Sequence, residues 1–304
     1  MTPINKILLV VAGPTAVGKT DLCINLAKKF NTAIISSDSR QFFREMNVGT
    51  AKPDKKDLHQ VPHYFINNKS IHEAYDVKAF EKEAMDLLNR LFLDQDLLIM
   101  TGGSGLYIDA VVDGLDEMPA IDLQIREKLN LEYRKNGLPE LQKKLLDLDP
   151  DYYRQVDLNN PQRLIRALEV CLSTGEPFSR FRIKRKKYRP FQALKIALNR
   201  DRGELYNRID QRMDEMIQHG LFEEATQLYP YRELNALQTV GYKEIFGYLD
   251  GEYDKKEAIR LLKRNSRRYA KRQLTWLRKD PDYTWFHPDS YPEILAWVLA
   301  HMAR

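Results

Sequence analysis

Eight residues near the start of the chain restrict its fold more than any other feature. Gly13-Pro14-Thr15-Ala16-Val17-Gly18-Lys19-Thr20 fits G-x-x-x-x-G-K-[ST] in full. The aliphatic run Ile7–Val11 leads into it, and apolar residues at helical spacing (Leu22, Ile24, Leu26, Ala27, Phe30) follow. A continuous aliphatic run is a strand buried on both faces of a parallel sheet. The spacing therefore predicts strand, loop and helix in that order. Glycines at both ends let the backbone wrap a phosphate, with amides turned inward at the helix N-terminus. Lys19 adds a point charge, and the Thr20 hydroxyl suits a magnesium ion. The pattern points to a bound polyphosphate and leaves the reaction open.

Further strands are expected at Ala33–Ile35, Leu97–Met100 and Ala193–Leu198, and a helix at Ala79–Phe92. Alternating strands and helices imply βαβ units and a parallel α/β sheet. Between Ile121 and Thr174 only helices are read, with Pro139, Pro150 and Pro161 near their boundaries. Long helices follow at Glu204–His219 and Lys255–Arg278. The simplest arrangement is a P-loop core, residues 1–115 and 190–304, interrupted by a helical insertion at residues 116–189.

The strand Leu97–Met100 ends in Thr101-Gly102-Gly103-Ser104-Gly105, without the acid that many P-loop proteins place there to help hold magnesium. An acid follows the second strand instead, Asp38 in Ser36-Ser37-Asp38-Ser39-Arg40-Gln41. Carboxyl ends of neighbouring strands open on one crevice, so Asp38 is expected to face the phosphate loop. There it suits a general base; a helix cap or an outer magnesium contact is the plainer alternative. Gly102–Tyr107 opens another helix, either a plain start or a second close approach to substrate with Ser104 as donor. Arg208 and Arg212 stand one turn apart, suited to an anion or to pairing with Asp210 or Glu215.

Charge is concentrated rather than spread. The chain carries a formal charge of +5, and Lys255–Lys279 holds eleven Lys or Arg against Glu257 alone. Arg260, Arg264, Arg268 and Arg272 form one stripe, with Lys263, Arg267 and Lys271 beside it, while Ile259, Leu262, Tyr269 and Leu277 take another face. A one-signed stripe on an amphipathic helix reads as a nucleic-acid phosphate track; a solvated face is the alternative. A second basic stretch, Arg180–Arg202, contains Lys184-Arg185-Lys186-Lys187, and its role stays open. In the insertion, Asn160-Pro161 reads as a cap and first-turn proline, with Gln162, Arg163 and Arg166 on one face and Leu164, Ala167, Leu168 and Cys171 inward. Cys23 and Cys171 match no zinc or redox spacing and are expected to be buried thiols. No apolar stretch reaches membrane-spanning length and no leader pattern opens the chain, so a cytoplasmic home is expected.

Taken in order, these motifs resemble the tRNA dimethylallyltransferases, also called tRNA isopentenyltransferases. The resemblance rests on Gly13–Thr20, Ser37-Asp38-Ser39-Arg40-Gln41, Gly49-Thr50-Ala51-Lys52-Pro53, Gly102–Tyr107, Pro161-Gln162-Arg163 with Arg166, Val240-Gly241-Tyr242-Lys243-Glu244, Ala270-Lys271-Arg272-Gln273 and Thr275-Trp276-Leu277-Arg278. It implies transfer of a dimethylallyl group from its diphosphate to N6 of the adenosine just 3′ of the anticodon. Gly13, Thr15, Ala16, Val17, Gly18, Lys19 and Thr20 would then hold the diphosphate leaving group rather than ATP, with magnesium at Thr20. Asp38 would be the general base, Ser104 keeps the hydroxyl of a position the family often fills with Thr, and Arg208 or Arg212 would contact the diphosphate. Asp38, Ser39, Arg40, Gln41, Gln162, Arg163, Arg166, Gly241, Tyr242, Lys271 and Arg272 would touch the tRNA anticodon stem-loop. The sequence shows no C-terminal zinc finger of the eukaryotic kind, which implies a bacterial-type enzyme, expected to be monomeric and without membrane contact. The alternatives are a small-molecule or nucleotide kinase and an RNA-binding NTP sensor.

Overall fold

A computed structural model describes residues 6–183 and 185–302; Lys184 of the second basic stretch lies outside them. The chain divides into two compact units, one of Met1–Val112 with Tyr188–Arg304, the other of Asp113–Lys187.

The first unit is built on a six-stranded sheet in the order β3-β2-β4-β1-β5-β6. The strands are β1 (Ile7–Ala12), β2 (Ile34–Ser36), β3 (His63–Tyr64), β4 (Leu97–Gly102), β5 (Gln192–Leu198) and β6 (Thr284–Phe286). Every neighbouring pair is parallel. The period of two along β1 sorts its side chains between two cores. Ile7, Leu9 and Val11 pack with the helix α1 (Lys19–Phe30), and Leu8, Val10 and Ala12 pack with α3 (Val77–Leu91). Both faces are covered, which is why β1 reads as an unbroken aliphatic run. β3 and β6 were not legible: each is only two or three residues long, too short for a period to show.

Three further helices of this unit gather a third apolar cluster: α9 (Arg202–Gln218), α10 (Leu221–Leu228) and α11 (Tyr242–Leu249), against α12 (Lys255–Leu277). α2 (Lys55–Gln60), α4 (Gly105–Val112) and α13 (Tyr291–Met302) complete it. Among the described residues no helix is long and apolar enough to cross a membrane.

The second unit is helical: α5 (Leu123–Asn136), α6 (Leu138–Leu148), α7 (Pro150–Tyr153) and α8 (Pro161–Thr174) around Leu141, Leu145, Leu164 and Leu168. Asn160 caps α8 by accepting from the Arg163 amide at 3.2 Å, with Pro161 in the first turn. Cys171 and, in the other unit, Cys23 are buried free thiols.

Candidate active site at the phosphate loop

The loop after β1 turns through left-handed backbone at Ala16 (φ 63°) and Gly18 (φ 108°) and delivers its amides to the start of α1. The β4 and β2 ends lie beside it, because β4 separates β1 from β2 in the sheet. Together they line a cavity of about 240 Å³ that collects Thr15–Thr20, Asp38, Gln41, Thr50, Ala51, Gly102, Gly103, Arg208, Arg212, Tyr269 and Gln273. A second hollow shares Thr15, Asp38, Thr50, Ala51, Arg212 and Tyr269, and adds Met213, Met216, Leu221, Val240 and Gly241.

Positive charge is focused on the loop. Lys19 Nζ donates to the carbonyls of Gly13 (2.9 Å) and Pro14 (2.8 Å). Burial pushes its ammonium down to about 8; the Asp38 carboxylate opposes that shift and Arg212 adds to it. Arg208 Nε donates to the Ala16 carbonyl at 2.9 Å, and Arg212 donates to the Thr15 hydroxyl. The Arg212 Nε is buried without a hydrogen-bond partner. Burial lowers this guanidinium to about 10, against the pull of Asp38. Pairing of these arginines with Asp210 does not occur: Asp210 takes Arg267 of α12 at 2.5 Å. An unmated donor beside a phosphate loop is suited to an anion that completes it.

Asp38 caps no helix. Its carboxylate accepts from the Arg40 amide at 2.9 Å, forming a turn, and its amide donates to the Ser36 hydroxyl at 3.3 Å. Ser36 donates to Gln41, whose amide group donates to the carbonyls of Thr50 (3.3 Å) and Ala51 (3.2 Å). Ser104 accepts from the Ser39 amide at 3.2 Å. Tyr269 lines both hollows, and burial pushes its phenol up to about 12.

The remaining expected residues fall into distinct settings. Arg40 donates to the Asn235 carbonyl at 3.2 Å. Gln162 and Arg163 are exposed on the second unit, whereas Arg166 is held by the buried Glu169, which also binds Arg126. Gly241 is buried, its amide donating to Glu244 at 2.8 Å. Tyr242, expected at a tRNA surface, is instead wholly buried, and its hydroxyl donates to Glu224 at 2.6 Å. The large ring is more useful as packing than as a contact, because Gly49 leaves it a seat.

Along α12 the charge is less uniform than the sequence suggests. Arg260 pairs with Glu257, Lys263 with Asp214 and Arg267 with Asp210. Arg268, Lys271 and Arg272 are exposed and form no ion pair among the described residues.

Several site residues carry no motif. Arg200, after β5, donates to the Val17 carbonyl at 2.9 Å and is anchored by Asp289 at 2.6 Å. Glu224 accepts from the amides of Asn47 (2.8 Å), Val48 (2.8 Å) and Gly49 (3.0 Å), holding the loop whose Thr50 and Ala51 wall the cavity. Gln273, by contrast, stands in the Ala270–Gln273 motif and is an amide on the apolar stripe of α12 that includes Leu262, Ala270 and Leu277.

Comparison with known proteins gives a consistent result. A family profile described as IPP transferase matches residues 41–280. The tRNA dimethylallyltransferase of Cytophaga hutchinsonii is 50% identical over 302 residues, 99% of each chain. That of Christiangramia forsetii is 53% identical over 282 residues, 93% of each. Among solved structures, the full-length tRNA isopentenylpyrophosphate transferase of Bacillus halodurans is similar with a TM-score of 0.73 and 36% identity, over 98% of this chain and 97% of that one. A eukaryotic dimethylallyltransferase acting on tRNA is similar with a TM-score of 0.74 and 28% identity, over 90% of this chain and 70% of its own.

Proposed function

The chain belongs to the IPP transferase family, and on that premise we propose that it moves the dimethylallyl group of dimethylallyl diphosphate onto tRNA, at N6 of the adenosine 3′-adjacent to the anticodon. The allylic carbon–oxygen bond breaks, a carbon–nitrogen bond forms, and diphosphate leaves. The observation that carries the reading is one cavity lined by Thr15–Thr20 of the phosphate loop, two arginines and a carboxylate.

Negative charge develops on the departing diphosphate. The loop amides, Lys19 and the two arginines line that space and supply the positive charge that stabilises the leaving group. Arg212 is the stronger candidate for direct contact, since its Nε is buried and unmated while Arg208 is bonded through Nε to the loop. Asp38 takes the proton released by the adenine amine. Ser104, bonded to Ser39, positions the same wall. The target base leaves its stack to enter a cavity of this kind.

A magnesium ion fits the donor set. Among the described residues no three His, Cys, Asp or Glu side chains surround a point. An ion here would be held by the Thr20 hydroxyl, with the remaining ligands from diphosphate and water, the mixed shell magnesium favours. It would neutralise leaving-group charge.

For tRNA, the exposed Lys271 and Arg272 of α12, with Ser39, Arg40 and Gln41 next to Asp38 in the chain, are the proposed contacts. On the helical insertion, taken by itself, Gln162, Arg163 and Arg166 are the proposed contacts. The enzyme is proposed to work as a monomer in the cytoplasm, where its tRNA substrate is found. The kinase reading loses ground to the family membership. The deciding experiment incubates the protein with magnesium, unmodified tRNA and either dimethylallyl diphosphate or ATP, then digests the tRNA and weighs its nucleosides. One added prenyl unit on adenosine with the first donor supports the proposal; ATP consumption without prenylation overturns it.

A further inference from the structure

Gln273 is 7% exposed and sits on α12 directly after Lys271 and Arg272, whose side chains are exposed. Its amide spans two loops. Oε1 accepts from the Thr15 amide of the phosphate loop at 2.9 Å, and Nε2 donates to the Gly103 carbonyl after β4 at 2.9 Å. The fit is close: a Cβ at residue 103 would lie 2.0 Å from Nε2. Thr15 in turn receives Arg212 on its hydroxyl. One turn further along α12, Trp276 Nε1 donates to Asp109 of α4 at 3.0 Å. The inward face of α12 is thus fastened to the phosphate loop while its outward face is cationic.

We infer that Gln273 is a positioning residue that couples the two substrates, so that RNA held by the outer face of α12 and diphosphate held by the loop strengthen each other's binding. The inference rests on the proposed prenyl transfer. Movement of α12 toward RNA phosphates reaches the Thr15 backbone through this amide, beside the Arg267–Asp210 and Lys263–Asp214 pairs that tie α12 to the helix carrying Arg212, and linkage makes the effect equal in both directions. A neutral amide suits the task because it both accepts from Thr15 and donates to Gly103, which neither a carboxylate nor an apolar side chain of the same length does.

The test is a thermodynamic cycle with unreactive probes. Inorganic diphosphate with magnesium is titrated into the protein by calorimetry, with and without a saturating unmodified anticodon stem-loop RNA. In the wild type the RNA is expected to tighten diphosphate at least about fivefold, the lower end of ordinary site coupling. Gln273→Met should bring that ratio close to one while RNA affinity alone changes by less than about twofold. Gln273→Glu, which keeps the acceptor for Thr15, should retain part of it and guards against a Met variant that fails to fold. Partial unfolding would weaken each affinity and raise the ratio, because saturating RNA draws the chain back to its folded form, so a lowered ratio is not a folding defect. A wild-type ratio of one, or an undiminished ratio in both variants, overturns the coupling while leaving the prenyl-transfer reading intact. Failure to bind either probe removes both.

Discussion

The ring of Tyr242 lies over the α-carbon of Gly49 so closely that a Cβ there would come within 2.6 Å of the ring. The two residues are far apart in sequence, and Glu224 joins them through the Tyr242 hydroxyl and the Gly49 amide. Gly49→Ala should therefore overpack the seam and cost about 1–3 kcal/mol. Tyr242→Phe should cost about 1.5–3 kcal/mol, since the hydroxyl's bond to the Glu224 carboxylate is lost. Denaturant midpoints measure both. Because Thr50 and Ala51 of the same loop wall the cavity, the alanine variant should also raise KM for dimethylallyl diphosphate. An unchanged midpoint for Gly49→Ala would show that the loop yields freely.

Asp38→Asn should lower transfer by ~10²–10⁴-fold, the usual loss when a general base is removed. Its carboxylate is free on one oxygen once Arg40 has taken the other, and it lines the cavity with Lys19 and Arg212. tRNA affinity should stay near the wild-type value. Turnover above about a third of wild type would take the base role away from Asp38.

What could be read in advance divides along physical lines. β1, β4, α1 and the phosphate loop were legible because their apolar period, glycines and Lys19 lie next to one another in the chain. Arg200 and Glu224 were not, nor was the loop-bridging role of Gln273, because each acts on backbone groups that only tertiary structure brings close. Tyr242 was misplaced for a related reason: an aromatic in a polar motif resembles a contact residue until its glycine seat is visible. The charge on α12 was overcounted because Asp210 and Asp214, which neutralise Arg267 and Lys263, belong to α9.

Lys19 makes substrate binding pH-dependent. Its folded-state value of about 8 lies below the ordinary 10.5. Between those values the folded chain holds fewer protons than the unfolded one, so this group makes stability rise with pH across that window; its destabilising effect is fully present below about 8. Diphosphate favours the ammonium, so binding should draw in a proton above pH 8. Calorimetry of dimethylallyl diphosphate at pH 9, without tRNA and in buffers of different ionisation enthalpy, should show uptake approaching one proton. Affinity should fall by up to about tenfold per pH unit, the limit for one proton. Lys19→Ala should bind weakly and lose the uptake. Zero uptake by the intact protein would mean that Lys19 is already charged there.

The last prediction separates two parts of one cationic helix. Lys271 and Arg272 are exposed and without ion pairs among the described residues, whereas Lys263 and Arg267 are committed to Asp214 and Asp210. A phosphate contact releases counterions and steepens the salt dependence of binding by roughly 0.7 per contact on single-stranded RNA and 0.9 on a duplex. Replacing Lys271 and Arg272 together with Ala should therefore make the slope for tRNA shallower by roughly 1.4 to 1.8, if both touch phosphate, with diphosphate affinity in the absence of RNA unchanged. Replacing Lys263 with Met should leave the slope almost as it was, because that ammonium is already neutralised by a neighbour. A binding series across salt concentrations reads both. Equal slopes for the wild type and the Lys271/Arg272 variant would mean that these side chains face only solvent, and that the tRNA track lies on another part of the surface.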